Sequence, residues 1–228
     1  MGFGRDKKVE EPRVEPVPWA DVNEFVLGSV ERPKTAKRIR SGFGARAVRV
    51  PQGDKDMQVL APCAYVATAE KHTLPSEPGL TLYEDIEQQQ LLCYLDAPQE
   101  VKGERHHVVR DARGDVIGTL RRVPPKRPFK HTWRIDQPGR PEIVGRNKMA
   151  SGSAKEVAGR AAGRFVTGVF DDLLNPGQGD QPGSRYRPLE WRSGDEVVIT
   201  SLGSTKINIC AAWIDRRLAF AFALIGDK

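Results

Sequence analysis

A dense group of basic side chains occupies residues 121–130, and capture of an anion is the chemistry that these residue types favour. Arginine offers a planar fork that matches two anionic oxygens, and lysine offers a point charge. Three prolines in the segment restrict the backbone and so reduce the entropy lost on binding. The sequence therefore predicts a candidate anion or lipid-headgroup site. Its members are Arg121, Arg122, Lys126, Arg127 and Lys130.

The same charges are equally typical of a solvated rim, and two observations bear on the choice. Adjacent residues of a strand point to opposite faces, so at most one of Arg121 and Arg122 can join Lys126 and Arg127. The basic excess is also local. Between Val101 and Lys148, thirteen Lys and Arg stand against five Asp and Glu, whereas the whole chain carries a net charge of +6. An anionic partner at this part of the molecule is thus a reasonable hypothesis.

Other reactive residues show no spacing that implies catalysis or metal binding. His106 and His107 are neighbours, and in a strand they would face opposite sides and could not share an ion. Cys63, Cys93 and Cys210 are scattered, which favours reduced and mostly buried thiols. The sequence lacks GxSxG, P-loop, GxGxxG and HExxH motifs. We therefore predict no catalytic residues, no metal and no cofactor, while an enzyme without a linear motif stays an open alternative.

Short apolar runs separated by turn residues predict the elements that would position the basic segment. The stretches 110–121 and 135–146 each place an Asp three residues before a Gly, followed by β-branched residues, as hairpins do. Strands about ten residues apart are typical of a sandwich or barrel. The candidate strands are 57–62, 64–68, 80–84, 90–96, 106–111, 116–122, 131–136, 142–146, 186–191, 196–201 and 206–212.

Two segments depart from the strand pattern. A capping box at Ser153–Glu156 and apolar residues at helical spacing predict an amphipathic helix over about 153–174. Near the end of the chain, Leu218 to Ile225 is apolar at every position and is expected to be buried on all sides. Its alternation of large residues with alanine fits a strand, and Asp215 before it fits a capped helix, so periodicity leaves both open.

The turns and the ending together resemble the tubby C-terminal-like superfamily, in particular its LURP-one-related branch. The matching elements are 108–122, the run HisThrTrpArgIleAsp at 131–136, and 213–225. The resemblance implies a mainly β (α+β) fold, a closed antiparallel barrel of about twelve strands that encloses the hydrophobic tail as a helix. The chain differs from the family in its long N-terminal part and in the helix at 153–174. We expect 1–55 to be a disordered or loosely docked extension and 56–228 to be the tubby-like barrel domain.

The functional expectation follows from the local charge and from the resemblance, since tubby-like domains include phosphoinositide-binding members and scramblase relatives that work at membranes. We expect a non-enzymatic binding module that recognises an anionic lipid headgroup, or a protein partner, through the basic edge. Non-specific nucleic-acid binding, with 31–49 as a second basic arm, is the alternative. The sequence shows no secretory signal and no transmembrane segment, so we expect a cytoplasmic location with peripheral contact at the inner membrane face. It predicts no oligomeric state.

Overall fold

A computed structural model of the chain describes residues 13–124, 132–147 and 188–226. Runs rich in Val, Ile, Leu and aromatic residues form thirteen antiparallel strands, because alternation places one half of each run against a common core. The strands are β1 (Glu24–Arg32), β2 (Gly42–Gln52), β3 (Val59–Val66), β4 (Thr81–Tyr83), β5 (Leu91–Leu95), β6 (Gln99–Val101), β7 (Glu104–Asp111), β8 (Val116–Val123), β9 (Thr132–Asp136), β10 (Ile143–Asn147), β11 (Pro188–Ser193), β12 (Glu196–Leu202) and β13 (Lys206–Ile209).

Twelve of these strands close into a barrel. The sheet runs in the order β5-β4-β3-β2-β1-β13-β12-β11-β10-β9-β8-β7, and a further pairing of β5 with β7 closes the ring. Leu95 lies opposite Val109 in this closing pair. Strand β6 pairs with β7 outside the ring as an extra hairpin strand. Closure leaves no free edges in the ring, which is how antiparallel barrels avoid edge-to-edge association.

One helix, α1 (Arg216–Ile225), lies inside the barrel. Asp215 caps its first turn, because the carboxylate accepts a hydrogen bond from the Arg217 backbone N–H at 2.9 Å. Every side chain from Leu218 to Leu224 is buried. A helix that is apolar on all sides is stable only when protein surrounds it, because its side chains are then removed from water. The wall of the barrel surrounds α1 in this way.

Aromatic side chains of the helix pack edge-on against the inner wall. The Phe222 ring lies 4.7 Å from that of Trp191 and 5.4 Å from that of Trp133, and the Phe220 ring lies 4.9 Å from that of Phe25. A close approach at β8 requires glycine. A Cβ on Gly118 would lie 2.5 Å from a backbone oxygen of β9 and 2.9 Å from a methyl carbon of Leu218. The helix and the wall are thus fitted to each other.

These observations confirm the expected closed antiparallel barrel around a hydrophobic C-terminal helix. They also resolve the alternative that periodicity left open at 218–225, since the segment is helical. The predicted helix at 153–174 lies outside the described residues.

The expectation of a disordered or loosely docked extension over 1–55 is wrong for the residues that form β1 and β2. These strands stand between β3 and β13 and complete the ring. Phe25 and Val48 are fully buried in the core. The basic composition of 31–49 suggested a solvated segment. Part of it is nevertheless a strand, and one of its arginines, Arg49, is buried.

We predict that Phe222→Ala lowers the free energy of unfolding by about 3–5 kcal/mol, since a buried aromatic ring is replaced by a cavity between two tryptophans. Urea denaturation measures the change. Ile86→Ala, at a side chain that is 45% exposed, is the matched control and should change stability by less than about 0.5 kcal/mol. Equal losses in the two variants would contradict a helix packed inside the barrel.

Candidate anion site at one end of the barrel

The structure separates the two described residues of the predicted basic site. Arg121 and Arg122 lie on β8 and point to opposite faces of the barrel wall, as alternation predicts. Lys126, Arg127 and Lys130 lie outside the described residues. The environments of Arg121 and Arg122 therefore decide what the described part of the site can do.

Arg121 belongs to an outer-face cluster in which carboxylates outnumber arginines. Its guanidinium binds Asp136 at 2.5 Å and Glu104 at 2.9 Å, and it also pairs with Glu142. Arg134, directly opposite on β9, donates to the same Glu142 at 3.0 Å. We call these five residues the outer cluster. Two arginines that face each other across strands would repel, and three carboxylates compensate for them here.

The outer cluster shifts the pKa values of its members in opposite directions. Burial works against the charged form of Arg121, but the hydrogen bonds that it donates to Asp136 and Glu104 outweigh this effect and raise the pKa of this arginine. The hydrogen bond with Arg121 holds the pKa of Glu104 below its usual range. Arg121 is thus a paired structural cation, and its donors are already committed to carboxylates.

The inner face of the same hairpin places two positive charges opposite each other. Arg105 on β7 lies directly opposite Arg122 on β8. His107, two residues further along β7, points to the same face and is 5% exposed. We call Arg105, His107 and Arg122 the inner cluster. Like charges directly opposite each other destabilise a strand pair, so an anion placed between them would stabilise it.

The two arginines of the inner cluster line a cavity at the barrel end where β7 begins and β8 ends. We call this the basic end. The cavity has a volume of about 140 Å³, and Glu100, Gly103 and Pro124 complete its lining. Ligand pockets for drug-sized molecules are commonly ~300–1,000 Å³. The cavity is therefore of a size for a single small anionic group.

The two arginines are held differently. The Arg122 guanidinium lies 5.8 Å from the ring centroid of Trp133, a buried side chain, and stacking of this kind fixes its orientation. Arg105 pairs with Glu100 at 2.9 Å, and both side chains are more than half exposed. Exposed ion pairs contribute only ~0–1 kcal/mol. Arg105 can consequently exchange Glu100 for a more highly charged partner.

His107 lies beneath the arginines as a neutral group. Burial lowers its pKa, and the positive charges of Arg105 and Arg122 lower it further. Its Nδ1 atom is buried and accepts or donates no hydrogen bond among the described residues. His106 points outward and lies 3.4 Å from Glu104. The two histidines thus face opposite sides, as predicted.

Sequence reasoning identified Arg122 but missed its partners. Arg105, His107 and Glu100 lie about twenty residues earlier in the chain, outside the dense basic segment. The available signal was the register of the hairpin, which places 105 opposite 122 once the turn at 112–115 is fixed.

The described residues contain no group of three or more His, Cys, Asp and Glu suited to hold a metal ion. Cys63 and Cys93 are buried thiols, and burial raises the pKa of each to about 12.

Comparisons of the chain with family models, with curated proteins and with solved structures each returned no match. Within the ranges that the structure describes, no helix is long and apolar enough to span a membrane. The geometry of the barrel wall and of its basic end is therefore the basis for a functional proposal.

We predict that Arg121→Gln destabilises the barrel at neutral pH and that this loss becomes smaller in acid. The pKa of Glu104 is lowered in the folded state, so the stabilisation is present above the unfolded-state pKa of roughly 4.3 and is lost as the pH falls through the folded-state value. Urea denaturation of both proteins at neutral pH and near pH 3 measures the difference.

Arg113→Gln is the matched control for this prediction. Arg113 is 82% exposed, and its nitrogens lie 3.5–3.6 Å from the nearest carboxylate oxygens, so its replacement should change stability by less than about 0.5 kcal/mol at either pH. A loss for Arg121→Gln that is identical at both pH values would contradict the assigned role of the carboxylates.

Proposed function

We propose that this barrel is a binding module for a phosphate-bearing anion, the headgroup of an anionic membrane lipid, and that it holds this group at the basic end. The observation that carries the proposal is the pair Arg105 and Arg122. They face each other across two strands, point to the same side and line one cavity. A doubly charged phosphate between two guanidinium groups removes their repulsion and forms charge-assisted hydrogen bonds.

The contrast with the outer cluster supports this assignment. On the outer face, two arginines meet three carboxylates, so both positive charges are compensated within the wall. On the inner face, Arg105 and Arg122 line a cavity together with Glu100, an exposed carboxylate. The cavity that two arginines line therefore lies on the inner face of this hairpin.

The packing of the barrel interior favours a ligand site at the end of the barrel rather than inside it. Helix α1 fills the interior with buried apolar side chains, so a polar ligand inside the barrel would have to displace it. The resemblance to tubby-like domains agrees with a lipid headgroup as the ligand, because members of that superfamily bind phosphoinositides.

We predict that Arg122→Gln weakens binding of inositol trisphosphate, a soluble headgroup, by about 10- to 100-fold. A hydrogen bond to a charged group contributes ~1.5–3 kcal/mol, and each 1.4 kcal/mol corresponds to a factor of ten in Kd. Isothermal titration calorimetry on the full chain gives the dissociation constants. Binding by the unmodified protein should also weaken as salt is raised, because the attraction is between charges.

The matched control is Arg113→Gln, in the turn at the opposite end of the same hairpin. It removes the same charge from the chain and should leave the dissociation constant within about twofold, since surface charges beyond a Debye length of ~8–10 Å are screened. Co-sedimentation with phosphatidylcholine vesicles, with and without phosphatidylinositol phosphates, distinguishes a lipid headgroup from a free phosphate ester as the ligand. Equal losses for Arg113→Gln and Arg122→Gln would contradict a specific site.

A further inference from the structure

The hairpin that joins β1 to β2 leaves the barrel wall and folds back over its outer face. We call residues 30–46 the flap. Irregular pairing along β1 allows the bend. At the far end of the flap, the Thr35 hydroxyl donates to the backbone carbonyl of Asp56 at 2.8 Å, and Arg38 donates to that of Gln58 at 2.9 Å. The flap is thereby fastened to the connection between β2 and β3.

Arg49 fixes the base of the flap. Its buried guanidinium donates to the backbone carbonyls of Gly28 at 3.1 Å, Leu60 at 3.0 Å and Ala45 at 2.6 Å, and it pairs with Glu31 at 3.3 Å. Burial lowers the pKa of Arg49, and Glu31 opposes that shift. Since all three nitrogens have partners, this arginine serves the fold, and the flap is a defined surface.

The flap exposes two large apolar side chains. Ile39 is 82% exposed and Phe43 is 67% exposed, which makes them the most exposed large hydrophobic residues of the described chain. Val26 and Leu60 form a separate buried cluster beneath the flap, and Val30 of the flap packs against it. Ile39 and Phe43 are not part of that cluster, so both apolar side chains are available to a partner.

Most charged residues of the flap are basic, and its one acidic residue, Glu31, pairs with the buried Arg49. From Pro33 to Ala47 the chain contains five Lys and Arg and no Asp or Glu. Lys37 pairs with Asp56 at 3.1 Å. Lys34, Arg40 and Arg46 are exposed, and none of the three forms an ion pair with another described residue. The flap thus presents apolar and cationic groups together.

We infer that the flap docks on an anionic membrane surface, with Ile39 and Phe43 entering the boundary between headgroups and acyl chains. Apolar burial and attraction to anionic lipid are the two terms that drive such binding. The inference rests on the proposed function, because both take an anionic membrane as the partner, but it uses a separate set of residues.

Other occupants fit the flap less well. A stable protein interface buries about 800 Å² on each partner, and two exposed side chains offer a small part of that area. Single-stranded nucleic acid is bound by rows of stacking aromatic rings, and the flap exposes one aromatic ring and one aliphatic side chain. Insertion into lipid requires only a few apolar groups beside cations, which is what the flap presents.

The test is co-sedimentation of the full chain with vesicles of phosphatidylcholine and phosphatidylserine. The double variant Ile39→Ser with Phe43→Ser keeps every charge. It should lower partitioning into the vesicles about tenfold or more, because burial of two large apolar side chains contributes to the free energy of binding. Lys34→Gln with Arg40→Gln and Arg46→Gln keeps the apolar groups and should lower it by roughly fivefold per charge. Because all five side chains are exposed, thermal unfolding of both variants should match that of the unmodified protein.

Ile86→Ser is the apolar control, since Ile86 is 45% exposed and lies outside the flap and outside the connection to which the flap is fastened. It should leave vesicle binding unchanged. Both flap variants should bind inositol trisphosphate as the unmodified protein does, which separates this inference from the proposed function. Vesicle binding that survives the double apolar variant, or falls equally with Ile86→Ser, would overturn the inference. Tighter binding to a single-stranded RNA oligonucleotide than to vesicles, lost in the flap variants, would overturn it as well.

Discussion

Helix α1 has no polar face, and this constraint organises the rest of the molecule. Its side chains from Leu218 to Leu224 are buried against the inner wall of the barrel, so the interior serves as the hydrophobic core. Strands β1 and β2 are needed to complete that wall. Polar recognition is consequently left to the ends of the barrel and to its outer face, where the sequence places the remaining charge.

Charge balance then distinguishes the surfaces of one hairpin. Arg121 and Arg134 face each other on the outer side with three carboxylates around them, whereas Arg105 and Arg122 face each other on the inner side and line a cavity with Glu100. A net count of basic residues does not separate these cases, because both pairs add equally to it. The distinction depends on register and on the direction in which each side chain points.

Much of the fold could be predicted from the sequence. Turn residues between short apolar runs marked most strands, and the uniformly apolar tail indicated a buried element whose helical state followed from the family resemblance. Strand β2 was missed because the Lys and Arg residues of 31–49, one of which is the buried Arg49, made this part of the sequence look like a solvated basic arm. Of the candidate site, Arg122 was identified, but Arg105 and His107 were not, since only strand pairing brings these distant residues together.

We propose that an anion binds between the two arginines of the inner face. Titration of the isotopically labelled chain with inositol trisphosphate, followed by amide NMR shifts, is the decisive experiment. We expect the largest shifts at residues 100–107 and 120–124, with little change at Glu142 or in the flap. Shifts centred on the outer cluster, or scattered over all basic loops, would contradict it.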